Sequence, residues 1–335
     1  MKFGIIGCGS IAANSFAPSL VHSELTELVA VCRRDLGEAR AFAARFGDCA
    51  AYGSAGALLA DDTVEAVVVS TPTDTHCEHT VAAAAAGKHV LCEKPMARDR
   101  HEARRMVMAC REAGVALGVA YRRRLFPQVV AAQQLIADGA IGPIVCTRTH
   151  YSGGGAEDLS GRWQGQPGLG GALMEMASHR IEVLLNLADS PPLEVSGLVD
   201  TVYHKKWQVD DTAGLLLRFA DGTMGMHSTI LTSKPRRDFA QVDGAEGRVV
   251  IDGLEFGSDH IELETDAGRR DIAVEPLENP YFDQPMIEDL VAAVEAGCDP
   301  VCDGVAGYWV QAVIDAARES SATGARVAVQ TLDEN

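Results

Sequence analysis

The rhythm of apolar and polar positions changes near residue 120. In the first part, short unbroken apolar runs alternate with longer mixed stretches. Residues 2–6, 27–32, 66–70, 89–92 and 115–120 read as strands, since none is long enough for a helix. Val67, Val68 and Val69 are β-branched and consecutive, as a parallel strand covered on both faces requires. Asp35 with Glu38, and Asp99 with Glu102, have capping-box spacing and open helices that Gly47 and Gly114 close. A helix follows the first glycine loop, with Pro18 bending or ending it, and another runs from Thr75 to a stop at Gly87. Repeated strand–helix–strand units predict an N-terminal Rossmann domain, a doubly wound parallel sheet over residues 1–120.

After Tyr121 the pattern differs. A helix is expected over 127–138, a strand over 144–151, then a glycine-rich stretch from Ser152 to Gly171 and a helix from Ala172 to about Leu187. Strands follow in series. Residues 215–219 and 224–230 flank Asp221-Gly222, a hairpin signal expected to form a type I′ turn. Further strands are expected at 249–251, 261–263 and 272–274, and two helices at 285–296 and 304–321. Runs of strands predict a C-terminal α+β domain with a largely antiparallel open sheet over residues 121–335, so the fold class is α/β. The uncovered face of that sheet is expected to make a homodimer or homotetramer.

The 335 residues are 47% hydrophobic and 23% charged, an ordinary globular composition. The formal net charge is −18, which repels phosphate backbones and anionic lipid. Nucleic-acid and membrane partners are therefore not expected. No signal peptide and no apolar run near membrane length is seen, and nine scattered cysteines without a CxxC pair suit a reducing, cytoplasmic setting. His76 and His79 lie one helical turn apart but lack a third ligand, so no metal is expected.

The chemistry begins at Gly7-x-Gly9-x-x-Ala12, which follows a strand and opens a helix. Gly7 permits the tight turn, Gly9 lets a pyrophosphate approach the backbone, and Ala12 allows close packing. The helix start at Ser10 and Ile11 supplies N–H donors. The second strand ends in Arg33-Arg34 where NAD sites usually place an acid, and two guanidinium groups suit a 2′-phosphate. NADP is therefore preferred over NAD. Ser70, Thr71 and Pro72 end a strand on the same edge and border the nicotinamide ribose, with His76, Glu93 and Lys94 counted in the same cofactor set.

The run His89-Val90-Leu91-Cys92-Glu93-Lys94-Pro95 resembles the hallmark of the glucose–fructose oxidoreductase / inositol dehydrogenase / rhizopine-catabolism (Gfo/Idh/MocA) family. Thr71-Pro72-x-x-x-His76, Gly170-Gly171-x-Leu173-x-Glu175-x-Ala177-x-His179 and Asn279-Pro280-Tyr281-Phe282 resemble further family segments, so the resemblance spans most of the chain. It implies a nicotinamide-dependent dehydrogenase or reductase acting on a secondary alcohol of a sugar, cyclitol or polyol. By that resemblance His179 is the general acid/base, Lys94 polarises the substrate oxygen, and Glu175 stands with them. Glu175 and Glu182 replace aspartates usual in the family, and Ala177 replaces a glycine. Arg123, Trp163 and Tyr281 are expected to line the substrate site with Lys94, Glu175 and His179. Arg122, Arg124 and Trp207 are weaker candidates. Two other readings stay open: a cofactor-binding regulator without turnover, and a glycoside-cleaving enzyme that uses the cofactor transiently.

Overall fold

The computed structural model describes residues 1–47, 49–153, 159, 162–254 and 258–333. The chain divides into two compact units, residues 1–122 with 278–308, and residues 123–277 with 309–335. A single cut near residue 120 therefore captures the first crossing only.

The first segment alternates β1 (Lys2–Ile6), α1 (Ala17–His22), β2 (Glu27–Cys32), α2 (Leu36–Ala43), β3 (Ala50–Tyr52), α3 (Ala55–Leu59), β4 (Ala66–Val69), α4 (His76–Ala85), β5 (His89–Cys92), α5 (Arg100–Ala113) and β6 (Leu117–Val119). The six strands are parallel, in the order β3-β2-β1-β4-β5-β6. All four residues of β4 are fully buried, as its valine run required. Both capping boxes form: the Asp35 carboxylate accepts from Glu38 N at 3.0 Å, and that of Asp99 accepts from Glu102 N at 2.9 Å. Sequence pattern missed β3 and α3, which at three and five residues carry too little periodicity to register. Pro18 does not end its helix. Residues 12–16 form a π turn, and α1 continues through Pro18 to His22. The wide turn lies just ahead of the ring, where an α turn would leave a carbonyl in its way.

The second segment holds α6 (Pro127–Ala137), β7 (Ile144–Ser152), α7 (Ser178–Ala188), β8 (Pro192–Asp200), β9 (Thr212–Phe219), β10 (Met224–Ile230), β11 (Arg237–Gly244), β12 (Gly247–Asp252), β13 (His260–Thr265) and β14 (Gly268–Ala273). With β15 (Val327–Ala328) they form a sheet ordered β14-β13-β12-β11-β7-β10-β9-β8-β15. Among the described residues of this sheet, only β7 and β10 pair in parallel. α6 and α7 pack on this sheet. The chain then returns through α8 (Gln284–Ala296), and α9 (Gly304–Thr323) passes from the first unit to the second.

One expectation needs correction here, and two strands went unforeseen. The β9–β10 hairpin is not type I′, because Asp221 lacks the positive φ that turn demands and Gly222 alone has it, at +92°. Gly222 N donates to Phe219 O, and Phe219 N to Thr223 O, the pattern of a three-residue loop ending in a glycine bulge. Strand β8 escaped notice because a bulge between Pro192 and Glu194 breaks its alternation. Strand β11 did so because its inward positions include Asp238, while Phe239 is only half-buried.

Candidate functional site

The first unit builds a nucleotide cradle at the carboxyl ends of β1 and β4, where the strand order reverses. Gly7 has φ +102°, and a Cβ there would lie 2.7 Å from Ser70 O, so no other residue fits. Ser70 Oγ donates to Gly7 O at 2.7 Å and ties the two strand ends together. Gly9 is different. Its φ is not positive, and a Cβ would meet nothing within 4 Å among the described residues. Packing among the described residues does not demand a glycine there, and the open space leaves room for a ligand against the backbone. Ala12 is fully buried, while Ser10 and Ile11 sit exposed at the helix start. The first intrahelical bond, Ala13 N to Gly9 O, leaves the preceding N–H groups without helical acceptors. The cradle thus fits a dinucleotide pyrophosphate.

Arg33 leans over this loop. Its Nη1 donates to Cys8 O at 3.0 Å, and its Nε lies 2.5 Å from the Glu38 carboxylate. Arg34 beside it is exposed. Further along the edge, Thr71 is half-buried and Pro72 exposed. His76, counted in the cofactor set, opens α4. It is buried, 1% exposed, with Nε2 2.8 Å from Thr71 O and Nδ1 3.0 Å from Pro95 O. It acts on the loops of the cofactor set through their backbone.

Lys94 follows β5 at the same carboxyl edge and joins Pro95 by a cis peptide bond. The Glu93 carboxylate accepts from Lys94 N. Burial pushes the Glu93 carboxyl up to about 7; Lys94 and Arg122 pull against that, and Asp283 adds to it. Arg122 donates through Nη1 to Ser15 Oγ at 3.1 Å and Asp283 Oδ1 at 3.0 Å. This guanidinium therefore has an internal carboxylate partner, which weakens it as a holder of substrate charge. Tyr281, expected at the substrate site, lies in the returning segment of the first unit. Its ring stacks on His22 with centroids 3.8 Å apart. His22 lies at the far end of the helix that starts beside Gly9, about 18 Å along its axis at 1.5 Å per residue.

In the second unit, Glu175 and His179 lie on the helix that opens at Leu173. It is not a plain α-helix, because residues 173–177 form a π turn before α7. Both glycine-led helices therefore begin with a wide turn, a feature frequent at functional sites. Glu175 is half-buried and His179 is 8% exposed. Sequence reasoning missed what holds this helix start. Asp210 Oδ2 accepts from Leu173 N and Asp210 O from Ala172 N, both at 2.8 Å. Side chains are excluded at the glycine pair: a Cβ on Gly171 would sit 2.5 Å from Asp210 Oδ1, and one on Gly170 would run into Gln164 O. The only sequence signal was the Asp210-Asp211 doublet ahead of β9. Asp211 accepts from the backbone N–H of Val202, Tyr203 and His204 and orders that loop.

Glu182, one turn after His179, is buried with Arg124 Nη1 3.5 Å away. Burial pushes its carboxyl up to about 7, against the pull of Arg124 and Arg123. Arg123 is 2% exposed and sits in the 3₁₀ turn of residues 122–125. Trp163 sits half-buried in a short 3₁₀ turn. Of the glycine-rich stretch before Gly171, residues 154–158, 160 and 161 lie outside the described residues. Trp207 stacks on His204, 3.9 Å between centroids.

Comparison with known proteins agrees with this construction. Residues 1–121 match the oxidoreductase family with the NAD-binding Rossmann fold, and residues 129–250 match the GFO/IDH/MocA C-terminal domain. The chain is 31% identical to a D-xylose 1-dehydrogenase (NADP(+)) of Haloferax volcanii, over 98% of this chain and 99% of that one. It is 29% identical to a 1,5-anhydro-D-fructose reductase of Ensifer adhaerens, again over 98% and 99%. A solved levoglucosan dehydrogenase in complex with NADH and levoglucosan superposes with TM-score 0.87 at 25% identity, covering 98% of this chain and 99% of that one. With both halves matched by family models and a relative above 30% identity along nearly its whole length, this chain belongs to the Gfo/Idh/MocA family of oxidoreductases.

Proposed function

We propose that this oxidoreductase moves a hydride between a nicotinamide dinucleotide, NADP in preference to NAD, and a secondary alcohol or ketone of a sugar, cyclitol or related polyol. One observation carries the reading. The parallel sheet that presents Gly9 after β1 also presents Lys94 just after β5, on the same carboxyl edge. Relatives named for D-xylose, 1,5-anhydro-D-fructose and levoglucosan support the sugar class.

The nicotinamide, when bound, supplies or accepts the hydride. The chain's own residues do the rest. Gly7, Gly9, Ser10, Ile11 and Ala12 hold the pyrophosphate against the helix start, and Ser70, Thr71 and Pro72 flank the nicotinamide end. Arg33 and Arg34 take the 2′-phosphate, for which Arg33 exchanges its Glu38 partner. Lys94 donates a hydrogen bond to the substrate oxygen and stabilises alkoxide charge. His179 exchanges the hydroxyl proton, with Glu175 beside it on the same helix orienting the substrate. Arg123 and Trp163 complete the substrate set.

The open face of the second sheet exposes Leu198 (79%), Leu216, Met224 and Met226, an apolar row that a second copy of this chain would cover. No helix among the described residues is long and apolar enough to cross a membrane. Nine free cysteines support a cytoplasmic location.

The test is a screen of D-xylose, levoglucosan, 1,5-anhydro-D-fructose and myo-inositol with NAD(H) and NADP(H), read by absorbance of the reduced nicotinamide. Turnover of at least one, faster with NADP(H), is expected. Tight cofactor binding without turnover of any would favour a regulator. A burst of reduced cofactor without net accumulation would indicate glycoside cleavage.

A further inference from the structure

The ladder between β4 and β5 ends at Val69 and Cys92, with one more bond from Glu93 N to Val69 O at 2.8 Å. Beyond that point the two strands leave the sheet as separate loops, Ser70–Pro72 and Glu93–Met96. One side chain spans them. His76, the first residue of α4, places Nε2 2.8 Å from Thr71 O and Nδ1 3.0 Å from Pro95 O, and the ring is buried. Both partners are carbonyls, which only accept. The ring donates to both when it carries two protons and to one when neutral. Burial draws its pKa below the ordinary histidine value, while the two carbonyls oppose that.

We propose that His76 is the positioning residue for Lys94: its imidazole clamps the loop after β4 to the Lys94-Pro95 loop and thereby sets where the ammonium stands. Pro95 is the immediate neighbour of Lys94, so an anchor on its carbonyl restrains the lysine through one residue. The opposite anchor, Thr71, belongs to the loop assigned to the nicotinamide end. The clamp thus registers the lysine against the cofactor loop through a single ring. Beside the clamp, the Glu93 carboxylate accepts from Lys94 N, and Cys92 Sγ donates to Glu93 O at 3.3 Å. Neither reaches across to the neighbouring loop. The inference deepens the assignment of Lys94 to the chemistry and rests on it, although the placement itself is measurable without substrate.

Two readouts test it in full-length protein loaded with NADP. The first is competitive acetylation of lysines by acetic anhydride, resolved by mass spectrometry. His76→Ala should change the reactivity of Lys94 by about threefold or more, with Lys205 and Lys206 as internal references that do not move, and His76→Gln should fall between it and wild type because its amide retains donors. Unchanged Lys94 reactivity in both variants overturns the proposal. Should the alanine variant unfold, seen as an equal change at every lysine, His76→Gln decides alone.

The second readout is a double-mutant cycle on turnover with the best substrate of the screen. His76→Ala should lower kcat by about 100-fold, well beyond any loss of NADP affinity, as expected for a small misplacement of a reacting group. In a Lys94→Ala background the same change should cost less than about twofold, because its effect runs through the lysine. Full additivity overturns the clamp while leaving the function reading intact. An active Lys94→Ala enzyme would instead overturn the function reading, and acetylation would then judge the clamp by itself.

Discussion

At the scale of single residues, the charges around the cofactor loop and the buried carboxylates set distinct expectations. Arg33 already holds a carbonyl of the glycine loop and a carboxylate of α2. Arg33→Ala should raise the KM for NADP(H) by about tenfold or more and leave that for NAD(H) within about threefold, since charge-assisted phosphate contacts are the strong ones. Equal effects on both would remove the 2′-phosphate role. Glu182 carries a pH prediction. Burial lifts its folded-state pKa to about 7 from 4.5. A carboxyl raised on folding holds its proton more tightly in the native state. Its stabilising contribution is full below about 4.5 and lost as pH rises through about 7, amounting to roughly 3 kcal/mol at most. Glu182→Gln stays neutral, so its melting temperature minus that of wild type should climb between about pH 5 and pH 8. A flat difference would mean that Glu182 stays ionised against Arg124. Much of the site was legible residue by residue. Gly7, Gly9, Ala12 and Lys94 stand on elements whose patterns announced them. Asp210 did not, and His76, counted in the cofactor set, gave no hint of its bonds to two loops, because both work by bonding backbone atoms and no spacing rule records such partners.

At the scale of elements, the two helices that begin at glycine loops matter most. The one carrying Glu175 and His179 has its first N–H groups bonded by Asp210, and Gly171 packs against that carboxylate. Asp210→Ala should cost about 1–2 kcal/mol, as loss of a charged acceptor at a helix start does, seen as a lowered urea midpoint. It should also lower kcat more than it raises KM, since the loosened turn carries Glu175 and leads into His179, the residues proposed to orient substrate and exchange the proton. A stability loss with unchanged kcat would separate the cap from catalysis. Helix extents, capping boxes and the buried valine strand followed from local pattern, because local chemistry determines them. The π turns at 12–16 and 173–177 did not, since an inserted residue leaves apolar spacing almost unchanged. Strand β11 was hidden by its inward Asp238, which Arg180 neutralises with two bonds from the buried side of α7.

At the scale of the whole molecule, the parallel six-stranded sheet and the nine-stranded mixed sheet realise the two fold classes that strand order implied. What pattern did not reveal is the return of residues 278–308 to the first unit, a long-range pairing that leaves no local trace. The apolar row on the open sheet face carries an assembly prediction. Light scattering at micromolar concentration should give at least a dimer, and Leu198→Glu with Leu216→Glu should give a monomer, because two buried unpaired carboxylates are not tolerated in an interface. A wild-type monomer would remove the interface. Turnover bears on the account most directly. With the best sugar substrate and NADP(H), Lys94→Ala and His179→Ala should each lower kcat by about 10³-fold or more while the cofactor Kd stays within about threefold. Near wild-type turnover in either variant would contradict the catalytic roles assigned here.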